Sequence, residues 1–314
     1  MTEERASRAA GGGPAEESGE GADWSGYVTA RSGYRLFAER FGPEDGPGLL
    51  MVMGGNAPCF VFPDRLCRGL ADRGYRVVRY DHRGAGRSSP VAYPQDAYRL
   101  GDLAEDAADV VRGLHLGPAL VFGISTGGAV AQLLALEHGA LVRELVLMST
   151  SPDYNVDPSR PPETGLPLPG PEWTSLVARM SARPPLEHDD VVRDLLEGWQ
   201  LCVGPAMPFE EAYWRDVAER TLRLPQNRAP GVHQGPAVDA APPRTGRLAD
   251  VRVPALVIHG GHDAVLPPAH GRALAGAIPG ARLVELPALG HMFPYAFCDE
   301  LGALIAGEGV PQGG

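Results

Sequence analysis

Apolar runs too short to be helices punctuate this chain at 49–53, 75–80, 119–122, 145–148, 255–258 and 282–286, and they are rich in Val and Leu. Short apolar runs of this kind suit buried parallel strands. Segments with helical spacing at 61–71, 100–114 and 129–137 lie between successive runs, so strands and helices alternate in the βαβ manner. The pattern predicts an α/β fold on a mostly parallel, doubly wound sheet. In front of it, 27–41 reads as two strands around the turn Arg31-Ser32-Gly33, where Gly supplies the positive φ of a hairpin.

The alternation breaks once. Prolines at 152, 158, 161, 162, 167, 169 and 171 are followed by helical stretches at 173–180, 191–200 and 210–221, with no strand-like run among them. A helical cap at 151–250 is therefore expected, inserted into a core made of 24–150 and 251–314. The last helix is expected at 295–305. Residues 1–23, rich in Gly, Ala, Glu and Ser, lack the apolar stretch of a signal peptide and predict a loose tail.

Charge and cysteine usage narrow the class. The 28 basic and 39 acidic residues give a formal charge of -11, which disfavours nucleic acid and anionic membranes as partners. No apolar run approaches the roughly 20 residues that cross a bilayer. Cys59, Cys67, Cys202 and Cys298 form no C-x-x-C pair, so they read as reduced thiols and point to a cytoplasmic protein. Nothing in the pattern sets an oligomeric state.

The chemistry centres on Gly123-Ile124-Ser125-Thr126-Gly127, a G-x-S-x-G placed between an expected strand and an expected helix. In a chain with 41 glycines the pattern alone is weak, and its context supplies the rest. A sharp turn there lifts the Ser125 hydroxyl clear of the sheet, with Gly123 and Gly127 small enough to let strand and helix approach. Such a hydroxyl needs a base, and the base needs a carboxylate to fix its tautomer. His291 and Asp263 stand just past the runs at 282–286 and 255–258, where open α/β sheets assemble their sites. Asp153 and Asp157, after the run at 145–148, are rival positions for the acid. The amides of Thr126 and Gly55 are the expected oxyanion donors, Gly55 lying in the glycine loop after 49–53.

Together, Met53-Gly54-Gly55-Asn56, the loop from Tyr80 to Ser88, Gly123 to Gly128, His262-Asp263 and Gly290-His291 resemble the α/β-hydrolase superfamily. Within it the chain is similar to the aclacinomycin methylesterase group, through the Met-Gly-Gly-Asn loop, Pro267-Pro268-Ala269-His270-Gly271 and Ala273-Leu274-Ala275-Gly276. The resemblance implies an α/β-hydrolase fold and hydrolysis of a carboxylic ester of a bulky apolar small molecule, polyketides and antibiotic biosynthesis being the setting. Two departures are Thr126, where Met is common, and a divergent cap.

Other readings carry less. His259, His262 and Asp263 lack a further ligand at metal spacing, so no metal is expected, and the proposed chemistry calls for no cofactor. Residues 81–89 miss the last glycine of a phosphate loop and read as a turn bracing the site. Asn56, Trp173, Trp199, Trp214 and Met292 are candidate substrate contacts, an aromatic lid suiting an apolar ester. A non-hydrolytic lyase, cyclase or perhydrolase, and a non-catalytic small-molecule binder, remain alternatives on this scaffold.

Overall fold

The computed structural model of the protein describes residues 21–55, 57–154, 165–182, 187–224 and 231–308. Most of the expected tail, 1–20, therefore lies outside the described residues, as does Asn56. Strands β1 (Trp24–Thr29) and β2 (Arg35–Phe41) form the expected hairpin, with Gly33 at φ +88 in its turn. The other strands are β3 (Gly48–Val52), β4 (Arg76–Tyr80), β5 (Ala119–Ile124), β6 (Val142–Met148), β7 (Ala255–Gly260) and β8 (Arg282–Leu286). They form one sheet in the order β1-β2-β4-β3-β5-β6-β7-β8, antiparallel in its first two pairings and parallel from β4 to β8.

The inner strands owe their place to composition. Every residue of β3, β5 and β7 is buried, as a parallel strand covered on both faces demands. Helices α2 (Leu100–Gly113) and α3 (Thr126–Glu137) cover one face, together with α8 (Ala269–Ala277). Helices α1 (Asp64–Ala71) and α9 (Cys298–Ile305) close the other. Both α1 and α9 begin later than their apolar spacing suggests, because 3-10 turns at Cys59–Val61 and Tyr295–Phe297 take up the first residues. Pro63 and Pro294 stand at the points where those segments turn, each with the extended backbone that proline favours.

Between β6 and β7 the described chain is helical: α4 (Pro171–Ala182), α5 (His188–Val203), α6 (Glu211–Leu222) and α7 (Gly231–Asp239). Helix α7 has no counterpart in the expected pattern, since Pro236 inside it and glycines at 231 and 235 conceal its spacing. This insertion does not stand apart. Trp214, Val217, Leu196 and Val203 share one buried cluster with Met53, Ile124, Leu289 and Phe293 of the core. Among the described residues, the four cysteines are free and buried, and no helix is long and apolar enough to cross a membrane.

Candidate active site

At the end of β5 the chain reverses sharply into α3, and Ser125 occupies the reversal with φ 53 and ψ -125. A side chain held in this region is strained, and the surrounding contacts must fix it. The Ser125 amide donates to Met148 O at 3.0 Å, while Ser125 O accepts from the Gly128 amide at 2.9 Å and from Thr150 Oγ1 at 2.7 Å. The glycines make the turn possible by close approach. A Cβ on Gly123 would meet Gly127 O at 2.4 Å, and one on Gly127 would meet Val52 O at 2.1 Å. Any side chain there would push α3 off the sheet.

The segments after β7 and β8 bring Asp263 and His291 together. His291 Nδ1 lies 2.8 Å from Asp263 Oδ2 and 3.0 Å from Oδ1. The Val265 and Leu266 amides donate to Asp263 Oδ1 at 2.9 and 2.7 Å, closing a turn that orients the carboxylate. An ionised carboxylate only accepts, so Nδ1 carries the proton and Nε2 keeps its lone pair. Burial alone would raise the Asp263 carboxyl, but His291 and the buried His259, whose Nε2 lies 3.4 Å from Oδ2, outweigh it and hold Asp263 well below the usual carboxylate range. Asp263, and not Asp153, is thus the carboxylate bonded to His291; Asp157 lies outside the described residues.

The glycine loop after β3 presses on the elbow. A Cβ on Gly54 would stand 3.3 Å from Ser125 Cβ, and one on Gly55 would stand 3.0 Å from Thr126 Oγ1. Thr126 opens α3, so its amide is among the first-turn donors that have no partner within the helix. The loop is held from below. His82 Nε2–H donates to Met53 O at 3.0 Å, and burial pulls this imidazole down to about 4. Asp81 accepts from the amides of Cys59 and Arg87 at 2.6 and 2.8 Å, tying the 81–89 turn to the chain beyond the glycine loop.

Residues from the insertion reach this region that spacing did not single out. Gln234 of α7 is buried, and its Oε1 lies 3.6 Å from where a Gly55 Cβ would be. Its neighbour His233 donates from Nε2 to Gly84 O at 3.2 Å and accepts at Nδ1 from Tyr98 Oη at 2.9 Å, docking α7 on the 81–89 turn. The end of α5 grips the histidine loop: the amides of Gly290 and Met292 donate to Val203 O and Cys202 O at 3.1 and 2.9 Å, one on each side of His291. Met292 is buried there. Trp173 and Trp199 are partly buried against the same cluster. Trp214 departs from the expectation of a pocket wall: it is 1% exposed, stacked on Trp199 at 4.7 Å and on Phe209 at 6.4 Å, within the cluster that the insertion shares with the core. Burial explains the difference, because an indole that is 1% exposed has almost no surface left for a ligand. His259 is fully buried whereas His262 is exposed, and among the described residues no group of three or more His, Cys, Asp or Glu could hold a metal.

Comparison with known proteins agrees with this layout. The model of the alpha/beta hydrolase fold matches residues 47–295. The chain belongs to the alpha/beta hydrolase family. The rhodomycin D methylesterase DnrP of Streptomyces peucetius is 34% identical to this alpha/beta hydrolase over 284 residues, covering 86% of this chain and 93% of the relative. The bifunctional esterase/perhydrolase DCH of Acinetobacter calcoaceticus is 27% identical, covering 86% and 94%. Among solved structures, an esterase from Rhodococcus sp. ECU1013 superposes with a TM-score of 0.71 at 22% identity, covering 91% of this chain and 99% of that one, a likeness of fold.

Proposed function

We propose that this hydrolase cleaves a carboxylic ester, a methyl ester of a bulky aromatic small molecule, through an acyl-enzyme on Ser125. The observation that carries the reading is the Asp263–His291 pair, which leaves His291 Nε2 as a proton acceptor at the same carboxyl edge of the sheet as Ser125. Ser125 Oγ attacks the ester carbonyl carbon as Nε2 takes its proton. The carbonyl oxygen becomes an oxyanion received by the amides of Gly55 and Thr126. Collapse breaks the bond to the alkoxy oxygen, and His291 returns the proton to it, releasing the alcohol. Water then adds to the acyl carbon with Nε2 as base, and the acid leaves with Ser125 restored.

Two supports bear on the substrate. The DnrP and DauP relatives are rhodomycin D methylesterases, and this chain covers 93% of each. The partly buried Trp173, Trp199, Met207 and Phe209 offer an apolar, aromatic surround. The test is activity-based labelling with a fluorophosphonate and mapping of the adduct, followed by Ser125→Ala and a panel of esters. The adduct is expected on Ser125, and Ser125→Ala is expected to lower kcat by roughly 10⁶. Methyl esters of polycyclic aromatic acids are expected to outpace short aliphatic ones. Activity that survives Ser125→Ala overturns the mechanism, and a preference for short polar esters overturns the substrate class.

A further inference from the structure

Asp263 is held at one oxygen by peptide groups and at the other by a histidine that the reaction above does not use. Oδ1 takes the Val265 and Leu266 amides at 2.9 and 2.7 Å. Oδ2, the oxygen nearer to His291 Nδ1, faces a single other donor among the described residues, His259 Nε2 at 3.4 Å. The same Nε2 lies 2.8 Å from Leu266 O. A carbonyl and an ionised carboxylate only accept, so Nε2 carries the proton and shares it between the two oxygens, while Nδ1 keeps a lone pair.

Packing does not call for an imidazole at this place. His259 Nδ1 is buried and has no hydrogen-bond partner among the described residues. A Cβ on Gly271 would stand 2.6 Å from it, and Gly271 lies outside the left-handed region, so what this glycine supplies is room for the ring against α8. A buried nitrogen without a donor costs stability, and an apolar side chain of like size would fill the site without that cost. What the imidazole offers instead is its Nε2–H. The side chains of His259 and Asp263 have no exposed surface, so water cannot take over as donor to Oδ2. With Oδ1 pinned by the two amides and Oδ2 unsupported, the carboxylate could turn about χ2 and carry Oδ2 away from His291 Nδ1.

We propose that His259 is a positioning residue for the reaction: its Nε2–H, anchored on Leu266 O, locks the Asp263 carboxylate in the rotation at which Oδ2 meets His291 Nδ1. The inference rests on Asp263 and His291 serving Ser125 as acid and base. His259 touches none of the reacting atoms and acts through Asp263 alone. A carboxylate that turns lets the His291 ring tilt, which misaligns Nε2 for proton transfer and lowers kcat rather than raising KM.

The experiment is a double-mutant cycle on one aryl ester, using the full chain as parent, His259→Leu, Asp263→Ala and the two together. His259→Leu is expected to lower kcat about 10- to 100-fold, with KM unchanged and a thermal midpoint equal to or above that of the parent, a combination that loosened packing would not give. His259→Gln, whose amide N–H can stand in for Nε2–H, is expected to recover most of the rate. In the Asp263→Ala background His259→Leu is expected to cost nothing further, because its effect passes through the carboxylate. Should His259→Leu fail to fold, His259→Met removes the donor with a more adaptable side chain and is read in the same way. A folded variant without the donor that keeps the parent kcat, or a loss that persists in full beside Asp263→Ala, overturns the positioning role alone. Asp263→Ala at the parent kcat overturns the reading of the acid and this inference with it.

Discussion

Asp263 shows how far one residue's placement follows from its position in the sequence. Its placement just past a buried strand, 28 residues before His291, was legible in the sequence, and the structure adds the bond at 2.8 Å and the two amides that fix its Oδ1. Asp263→Asn keeps an acceptor for the Val265 and Leu266 amides but turns an NH₂ towards Nδ1, which forces the proton to Nε2. It is expected to lower kcat about 10⁴-fold with little change in urea stability, measured side by side on one ester. His82 carries a different consequence. Buried and neutral, it has its folded pKa near 4 against 6.5 for the free side chain, so the unfolded chain binds more protons between these values. Its stabilising share is present above about pH 6.5 and is lost as pH falls towards 4, amounting to about 2 kcal/mol between pH 7 and pH 5. Urea unfolding at the two pH values is expected to show this loss in the parent and a smaller one in His82→Gln, whose amide can still donate to Met53 O. Gln234 was not legible, because α7, which carries it, has no readable pattern, and His259 stood out only as a residue weighed for metal binding, its contact with Asp263 being set by the turn that follows β7.

Elements were more readable than residues where burial is one-sided in its demands. Parallel strands covered on both faces favour apolar runs, so β3, β5 and β7 stood out, whereas α7 was hidden by Pro236 and its glycines, and it is α7 that brings His233 and Gln234 to the site. The turn between β5 and α3 tests the packing argument directly. In Gly127→Ala the new methyl would sit 2.1 Å from Val52 O and 2.5 Å from Met53 O, both backbone atoms that cannot swing away. The expected cost is about 3 kcal/mol, with activity falling as the elbow moves off the glycine loop. Gly276, near the exposed end of α8, has nothing within 4 Å of a Cβ. Gly276→Ala is expected to stabilise by about 0.5–1 kcal/mol, since it only removes backbone freedom from the unfolded chain. Thermal unfolding of both variants checks the contrast, and similar effects from the two would sink the reading of the elbow.

At the scale of the whole molecule the question is whether the helical insertion can open as a unit separate from the sheet. The prolines after Ser151 mark where it begins in sequence, but they say nothing about its attachment, which depends on contacts made by residues over 80 positions apart. Those contacts are both apolar and polar. Trp214 and Val217 share a buried cluster with Ile124 and Phe293, the end of α5 bonds to both sides of His291, and His270 donates to Pro167 O while its Nδ1 meets Ser151 Oγ at 2.8 Å. An insertion wedged into the core in this way loses its own packing when the core melts and strips the core when it leaves, so the two should unfold together. Three of the four tryptophans, Trp173, Trp199 and Trp214, lie in the insertion, and the fourth, Trp24, starts β1. Tryptophan fluorescence therefore reports mainly on the insertion, and far-UV circular dichroism on sheet and helices alike. The two signals and the loss of esterase activity are expected to share one urea midpoint. A fluorescence transition that runs ahead of the other two would show an insertion that opens alone.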